Sequence, residues 1–241
     1  MIVLFTDFGW QGPYVGQMKA VLTQLAPQRP IVDLMHDVPA FQPRAAAYLL
    51  ASLVEPFPLE TIFLAVVDPG VGSHQRRPCV MKAAGRWYVG PDNGLFNVIA
   101  RQASGYKAWE INWRPDGLSD SFHGRDLFAP VAAQLASGQS PQMTISALAD
   151  APNNWSTDLT EIIYIDYFGN AMTGLRSKLV SKDSRLKIHD HIIPYARVFA
   201  EASPAKPFWY YNSNGLVEIA MNQASAAQFL DLAIGTAVQI C

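Results

Sequence analysis

The sequence predicts an α/β fold, with an N-terminal, mostly parallel sheet flanked by helices and a smaller C-terminal β-barrel-like domain. Strand-like and helix-like patterns alternate through the first half of the chain, which is typical of repeated βα units. Residues 62–67 are continuously apolar, as in a strand buried on both faces. Toward the C-terminus the candidate strands become short and are separated by Gly, Pro and Asn. We therefore place an α/β domain at residues 1–152 and a β-rich domain at residues 153–241.

The chain begins with two predicted βα units. Residues 2–5 form the first strand and residues 31–35 form the second. The apolar face of the first helix is Val15, Met18, Leu22 and Leu25. The second helix begins at Pro43, a residue favoured in the first helical turn, and its apolar face is Ala46, Leu49, Leu50 and Leu53. Because strands joined through a helix run parallel, both strands are expected in one sheet.

The remaining elements of the first domain are a strand, a hairpin and two helices. The third strand is residues 62–67, and residues 79–82 and 87–89 flank Ala84-Gly85 as a hairpin that adds antiparallel strands to the sheet. A short helix follows at residues 95–103. The last helix, residues 127–135, is expected to hold Arg125 and Asp126 in its first turn. Pro130 is awkward in a helix interior, so it also belongs near that turn.

The second domain begins after a stretch of loop-forming residues. Residues 149–158 are rich in Asp, Asn, Ser, Thr and Pro, which marks a domain boundary. Beyond it, residues 161–165, 186–193 and 216–220 favour β-structure and are too short and too close for further βα units. A small barrel or sandwich fits this spacing.

The composition excludes several classes of protein. The chain has 241 residues, of which 50% are hydrophobic and 16% charged, so a compact globular protein is expected. A net charge of −2, without a basic cluster, argues against a nucleic-acid partner. Two cysteines and five scattered histidines match no disulfide framework or metal site, so neither metal nor cofactor is expected. The longest apolar stretch, residues 45–54, is too short to span a bilayer. We expect a soluble, cytoplasmic protein with no membrane partner.

Two aspartates follow predicted parallel strands directly. Asp7 comes after the first strand and Asp68 after the third. In open α/β sheets ligands bind outside the carboxyl ends of the strands, so these side chains are expected to meet at one edge. A carboxylate there can accept hydrogen bonds from both hydroxyls of a ribose. The chain lacks the G-x-G-x-x-G sequence of a dinucleotide fold, which excludes that class of site.

Other candidates for chemistry lie in the loops that follow. The Gly70-Val71-Gly72-Ser73 turn lacks a Walker lysine, which excludes nucleoside triphosphate binding, but it can return Arg76 or Arg77 toward Asp68. His123 lies at a helix start, where the helix dipole disfavours a positive charge. We expect a neutral histidine that can accept a proton.

Several motifs together resemble one family, the S-adenosylmethionine hydroxide adenosyltransferases, or adenosine-forming S-adenosylmethionine hydrolases, which are relatives of the fluorinase and chlorinase. The resemblance covers essentially the whole chain and rests on Thr6-Asp7-Phe8-Gly9, residues 14–19, residues 67–72, Gly90-Pro91-Asp92-Asn93-Gly94, Phe122-His123-Gly124-Arg125-Asp126, Asp166-Tyr167-Phe168-Gly169-Asn170 and residues 212–220. It implies an α/β domain, a β-rich domain and a homotrimer with active sites between subunits. The implied reaction is hydrolysis of S-adenosyl-L-methionine to adenosine and L-methionine.

The resemblance also implies roles for individual residues. The catalytic set is Asp68, Arg76 and His123. One extra residue between Ser73 and the arginine pair leaves Arg77 as an alternative to Arg76. Asp7 is implied to hold the ribose hydroxyls. The residues implied to bind the methionine and adenine parts are Asp166, Phe168, Asn170, Phe199, Ser213, Glu218 and the backbone near Gln223. Gly12 stands where many relatives carry an aspartate, which removes one polar contact.

Two alternative functions remain open. A halogenase would attack the same ribose carbon with a halide and form a 5′-halo-5′-deoxyadenosine. The halide-using relatives carry an additional loop, for which the sequence between Asp92 and Asp126 leaves no room. A non-catalytic sensor of S-adenosylmethionine or adenosine would be expected to lose the ionisable set while keeping Asp7 and Asn170, whereas this chain has them all.

Overall fold

The structure is a computed structural model that describes residues 1–73, 76–149 and 155–241. It divides into two compact units. The first unit comprises Met1–Ala47 and Val54–Trp155, and the second comprises Tyr48–Leu53 and Ser156–Cys241. The predicted boundary between residues 152 and 153 lies outside the described residues.

A seven-stranded sheet forms the centre of the first unit. Its strands are β1 (Ile2–Thr6), β2 (Ile31–Met35), β3 (Ile62–Val66), β4 (Pro78–Ala83), β5 (Arg86–Pro91), β6 (Tyr106–Ile111) and β7 (Met143–Ile145), in the spatial order β2-β1-β3-β5-β4-β6-β7. The pairs among β2, β1, β3 and β5 are parallel, and those among β5, β4, β6 and β7 are antiparallel. Since β6 is antiparallel to β4, it runs in the direction of the parallel group. The sheet is therefore mostly parallel, as predicted.

The helices confirm most of the sequence pattern. They are α1 (Tyr14–Leu25), α2 (Pro43–Leu53), α3 (Asn97–Gln102) and α4 (Ala129–Ala136), the last preceded by a π-helical turn at Gly124–Phe128. Met18 and Leu22 of α1 pack with β1, β3 and α4 in the main core. The prediction for Leu25 was wrong, because this residue lies in the last turn and is 49% exposed.

Two strands of this sheet were not recognised in the sequence. β6 does not alternate polar and apolar side chains, since Ala108 and Trp109 are adjacent, and it is only six residues long. β7 has three residues and pairs only along the edge of β6. The predicted hairpin of β4 and β5 is present, although β5 also pairs in parallel with β3.

The second unit contains two antiparallel sheets. Its elements are β8 (Leu159–Ile165), β9 (Ala171–Arg176), β10 (Leu186–Ile188), β11 (His191–Ile193), β12 (Pro207–Tyr211), β13 (Leu216–Met221), α5 (Ala226–Leu230) and β14 (Gln239–Ile240). The sheet orders are β12-β13-β9-β8 and β11-β10-β14. The segment predicted as one strand at residues 186–193 is a hairpin instead, turning at His189 with a φ of 51°.

Within the described residues, no helix has both the length and the apolar character needed to cross a membrane.

Candidate active site

The carboxyl ends of β1 and β3 bring two predicted site residues into one cavity of the first unit. Thr6 and Val66 are partners in the parallel β1–β3 pair, so the next residues along each strand leave the sheet at the same edge. Asp7 and Asp68 both line a cavity of about 610 Å³, and His123 lines it as well. The structure therefore brings together three residues that are far apart in sequence, as expected for the edge of an open α/β sheet.

Asp7 is held by the loop that follows β2. Its Oδ2 accepts a hydrogen bond of 3.1 Å from the Phe41 amide. Phe41 has a φ of 61°, which is uncommon for a residue with a side chain, and it also lines the cavity. Burial raises the pKa of the Asp7 carboxyl, and the nearby Asp68 adds to the rise. Asp7 is positioned to accept further hydrogen bonds from a ligand.

Asp68 forms an ion pair with Arg76. Arg76 Nε lies 3.0 Å from Asp68 Oδ1, but the contact lacks the direction of a good hydrogen bond. The Gly70 amide donates to the same oxygen at 3.1 Å, whereas Asp68 Oδ2 is buried without a hydrogen-bond partner among the described residues. Burial raises the pKa of this carboxyl, although Arg76 opposes the rise. An unpaired buried carboxylate oxygen is costly, so Oδ2 is a natural acceptor for a ligand or water.

Gly70 and Gly72 allow the loop after β3 to pass close to its neighbours. A Cβ on Gly70 would lie 2.7 Å from Arg76 Nη2, in the space that the guanidinium uses. A Cβ on Gly72 would lie 2.4 Å from the Asp120 carbonyl oxygen, and Gly72 has a φ of 80°. Gly72 is therefore required by the backbone, and Gly70 leaves the space that the Arg76 guanidinium occupies.

Arg77 is directed to a different carboxylate. Its Nη2 lies 2.7 Å from Asp92 Oδ2, and its Nη1 donates to the Ser146 hydroxyl at 3.3 Å. Asp92 also accepts from the Ala149 amide at 2.9 Å. These contacts join the start of β4 to residues 146–149. Of the two adjacent arginines, the structure places Arg76 against Asp68 and Arg77 in a structural ion pair.

His123 directly precedes the π-helical turn. The turn widens the chain so that the Ala129 amide bonds to the Gly124 carbonyl. Pro130 falls in the first turn of α4, where the absence of an N–H costs least. π-Helical turns are frequent at functional sites because they alter side-chain directions locally. A Cβ on Gly124 would come within 3.4 Å of Phe8, Met18 and Phe122, so this glycine keeps the turn packed against α1.

A second cavity lies in the second unit and gathers most of the other predicted residues. Its volume is about 640 Å³. The predicted residues that line it are Asp166, Phe168, Asn170, Phe199, Glu218 and Gln223. Ser213 is not among the described lining residues and lies in the turn between β12 and β13. The sequence motifs of the two domains thus correspond to one cavity in each unit.

Asp166 and Asn170 form a compact polar corner of the second cavity. Asp166 Oδ1 accepts from the amides of Phe168 and Asn170, at 2.9 and 2.8 Å. Its Oδ2 accepts from Asn170 Nδ2 at 2.9 Å. Because this bond uses the Asn170 amide nitrogen, the Asn170 carbonyl oxygen stays available to accept from a ligand.

Aromatic rings and a strained backbone complete this cavity. Phe168 is 72% exposed, a large apolar surface for a residue at a cavity wall. Exposed rings of this kind can stack on a planar heterocycle. Gln223 has a φ of 57°, and strained positions of this kind cluster at ligand sites.

Tyr210 is a cavity residue that sequence reasoning missed. Its hydroxyl donates a hydrogen bond of 2.6 Å to Glu218 Oε1, and the two residues are direct partners in the β12–β13 pair. The signal that could have found it is the register of this hairpin. Counting outward from the Asn212-Ser213-Asn214-Gly215 turn pairs Tyr211 with Val217 and therefore Tyr210 with Glu218.

Among the described residues, no group of three or more His, Cys, Asp or Glu side chains could hold a metal ion. The sequence expectation of a metal-free and cofactor-free site stays a prediction. What the first cavity offers is two half-buried carboxylates and an imidazole, with the Arg76 guanidinium against one of the carboxylates. These groups can bind a polar ligand, polarise water and accept a proton.

Comparisons with known proteins show which family the chain is similar to. The SAM hydroxide adenosyltransferase N-terminal domain matches residues 2–144, and the C-terminal domain of the same family matches residues 160–239. A relative from Thermus thermophilus, named (R)-S-adenosyl-L-methionine hydrolase, is 36% identical over 99% of this chain and 98% of its own. A hydrolase of the same name from Salinispora arenicola is 35% identical over 98% of this chain and 95% of its own.

More distant relatives and a solved structure extend the comparison. A protein from Actinopolyspora mzabensis named fluorinase is 25% identical over 100% of this chain and 96% of its own. The crystal structure of an uncharacterized conserved protein from Thermotoga maritima aligns with a TM-score of 0.92 and 32% identity over the full length of both chains.

Proposed function

Because the chain belongs to the SAM hydroxide adenosyltransferase family, we propose that it hydrolyses S-adenosyl-L-methionine (SAM) to adenosine and L-methionine. Relatives named (R)-S-adenosyl-L-methionine hydrolase, 31–36% identical to this chain, support the substrate and the reaction. The observation that carries the proposal is the single cavity in which Asp7, Asp68 and His123 meet, with Arg76 paired to Asp68.

The reaction replaces one bond at the ribose C5′ carbon. A water oxygen forms a bond to C5′, the C5′–S bond breaks, and its electron pair returns to sulfur. The sulfonium becomes the neutral thioether of methionine, and one proton of the water is released. Because the leaving group departs uncharged, the chemistry requires no Lewis acid on that side. The main barrier is the weak nucleophilicity of water, whose pKa is about 15.7.

The residues that line the first cavity, together with Arg76 beside Asp68, suit this requirement. The Arg76 guanidinium carries a permanent positive charge that stabilises developing hydroxide character. His123 accepts the proton as general base. Asp68 holds the guanidinium and directs its free Oδ2 at the water. Asp7 accepts hydrogen bonds from the ribose hydroxyls, which aligns C5′ for in-line attack.

The second cavity supplies binding of the rest of the substrate in this proposal. Asp166 and Ser213 hold the amino acid end, and Asp166 is already fixed by backbone amides. Phe168 and Phe199 enclose the adenine, while Asn170 and the backbone near Gln223 contact its edge. The two cavities belong to separate units of the chain.

We further propose a homotrimer in which each active site lies between two subunits. The support is the family resemblance, together with the exposed aromatic side chains at the cavities, Phe41 and Phe168. A cytoplasmic location is part of the same proposal, since Cys79 and Cys241 are both free thiols, which is the usual state in that compartment.

A product assay tests the function. Purified protein is incubated with SAM in chloride-free and chloride-containing buffer, and the products are separated by chromatography and identified by mass. We expect adenosine and methionine in equal amounts in both buffers. An Arg76→Ala, His123→Ala double variant is the control and should form neither product. A 5′-halonucleoside in chloride would indicate a halogenase, and unchanged SAM with measurable binding would indicate a sensor.

A further inference from the structure

Glu218 is a buried carboxylate at the wall of the second cavity. It lies on β13, borders the cavity, and is only 3% exposed. Burial raises the pKa of its carboxyl, and the nearby Asp166 adds to the rise. None of the described residues that line this cavity is basic. Keeping a carboxylate in such a place is costly unless hydrogen bonds compensate for it.

Both oxygens of Glu218 are used by protein donors. Oε1 accepts from the Tyr210 hydroxyl at 2.6 Å, and Oε2 accepts from Asn212 Nδ2 at 2.8 Å. Hydrogen bonds to a carboxylate are stronger than those between neutral groups, and the shorter of these two is typical of that class. The family resemblance implies that Glu218 contacts substrate, but its own contacts are with the protein.

From this network we infer that Glu218 is a positioning residue that acts on the substrate through Tyr210 and Asn212. The inference rests on the proposed function, because it assigns these residues to the binding of SAM. It adds Tyr210 as a residue that determines specificity.

The bond to Glu218 determines what Tyr210 can offer a ligand. A tyrosine hydroxyl has one proton, and Tyr210 uses it to donate a hydrogen bond to Glu218. The Tyr210 oxygen therefore presents only lone pairs to the cavity. The Tyr210 ring is held by Phe199 and Phe208, with ring centroids at 5.4 and 5.7 Å. Tyr210 is therefore a fixed acceptor that favours a ligand N–H donor.

The bond to Asn212 fixes the turn that carries Ser213. While Asn212 Nδ2 donates to Glu218, its Oδ1 accepts from the amides of Asn214 and Leu216, at 3.0 and 2.9 Å. The Asn212 side chain thus connects the turn to the buried carboxylate. Without Glu218, this turn and its serine would lose an anchor inside the sheet.

A double-mutant cycle tests this coupling. SAM affinity is measured by calorimetry and steady-state kinetics for wild type, Glu218→Gln, Tyr210→Phe and the double variant. Each single change should raise Kd and KM by about tenfold, the loss of one charge-assisted bond, with kcat within about twofold. Tyr210→Phe should have a smaller effect in the Glu218→Gln background than in wild type, because the charge-assisted bond between the two residues is already lost there. If the fold-increase in Kd and KM of the double variant is the product of the two single increases, Glu218 acts independently of Tyr210 and the inference is overturned.

Thr173→Val is the matched control for a purely structural loss. Thr173 is buried on β9, and its hydroxyl donates to the Val217 carbonyl at 2.8 Å without lining the cavity. The thermal stability of the Thr173→Val variant should fall, while the KM of this variant for SAM stays at the wild-type value. If Thr173→Val raises KM as much as Glu218→Gln does, the effect is a general weakening of the sheet and the inference is wrong.

A ligand-independent measurement separates this inference from the proposed function. In a crystal structure of Glu218→Gln, the Tyr210 hydroxyl and the backbone of residues 212–215 should be displaced relative to wild type. Unchanged positions would overturn the positioning role even if the enzyme is active. A wild-type protein that leaves SAM intact would instead overturn the proposed function, while the displacement would still test the role of Glu218.

Discussion

Arg76 and Arg77 are adjacent in sequence but have different partners. Arg76 is paired with Asp68, whose second carboxylate oxygen is buried and unpaired. Arg77 binds Asp92, which already accepts a backbone amide and whose side chain is 3% exposed. The first arrangement leaves hydrogen-bonding capacity for a ligand, and the second uses that capacity within the protein. This difference is the reason why the proposed mechanism uses Arg76 in catalysis and leaves Arg77 to stabilise the fold.

The two arginines serve as matched controls for each other. Arg76→Ala should lower kcat about 100-fold or more, because it removes the charge that stabilises hydroxide in the transition state. The free energy of unfolding should fall less in Arg76→Ala than in Arg77→Ala, because Arg76 Nε makes no hydrogen bond to Asp68 whereas Arg77 donates hydrogen bonds to Asp92 and Ser146. Arg77→Ala should keep kcat within about twofold but lower the free energy of unfolding by about 1–3 kcal/mol, since Asp92 loses its cation. Steady-state kinetics and urea denaturation measure both effects. The reverse pattern would assign Arg77 to the active site.

Site residues at strand ends could be predicted from the sequence. Site residues whose position depends on a loop conformation or on the register between two strands could not. Asp7 and Asp68 each follow an apolar run, so their meeting place follows from parallel topology alone. Phe41 and Tyr210 line the cavities because of a loop conformation and a hairpin register. Neither property has a clear local signal. The choice between Arg76 and Arg77 likewise depended on the path of the backbone.

At the scale of elements, the conformation of the loop after β3 depends on two glycines, which have no side chain to collide with their neighbours. Gly70 leaves room for the guanidinium of Arg76, and Gly72 lets the loop approach the Asp120 carbonyl. The motif at residues 67–72 therefore contributes shape as well as an aspartate. This explains why the loop has the glycines of a phosphate-binding loop without its lysine.

A methyl group at Gly70 should disturb the site without unfolding the protein. In Gly70→Ala the new Cβ would lie 2.7 Å from Arg76 Nη2 and displace the guanidinium, so kcat should fall about tenfold or more. Gly16→Ala in α1 is the control, because its Cβ meets nothing within 4 Å. That change should leave kcat unaltered and stabilise the helix by about 1 kcal/mol. Wild-type kcat in Gly70→Ala would contradict the role given to Arg76.

The sequence predicted the regular elements better than the irregular ones. Pro130 indicated that the helix after His123 could not begin in an ordinary way, but a π-helical turn has no distinct sequence pattern. The strands β7 and β14 have three and two residues, too short for periodicity to be read. The hairpin at residues 186–193 was hidden because His189 adopts a positive φ without being glycine.

For the whole molecule, the central fact is that the predicted site residues divide between one cavity of the first unit and one cavity of the second. The first contains the groups that can activate water, and the second contains aromatic rings and acceptors suited to a nucleoside and an ammonium group. In the proposed trimer these cavities come from different copies of the chain. That arrangement makes catalysis depend on assembly.

Subunit mixing tests this dependence. Arg76→Ala is defective only in the first unit and Asp166→Ala only in the second, so each should be inactive alone. If every site combines units of two chains, co-expressed equal amounts should recover about a quarter of wild-type activity by random assembly. Sedimentation of the mixture should give a trimer. A trimeric mixture without activity would mean that each site is built from a single chain.

The ion pair between Arg77 and Asp92 also bears on how this loop can vary among related sequences. It anchors the chain immediately after Arg76, at the point where β4 begins. An insertion or deletion on the N-terminal side of Arg76 therefore changes the length of the loop but leaves the anchor in place. The guanidinium can stay opposite Asp68 across such changes. The anchor thus separates the length of the loop from the position of the charge.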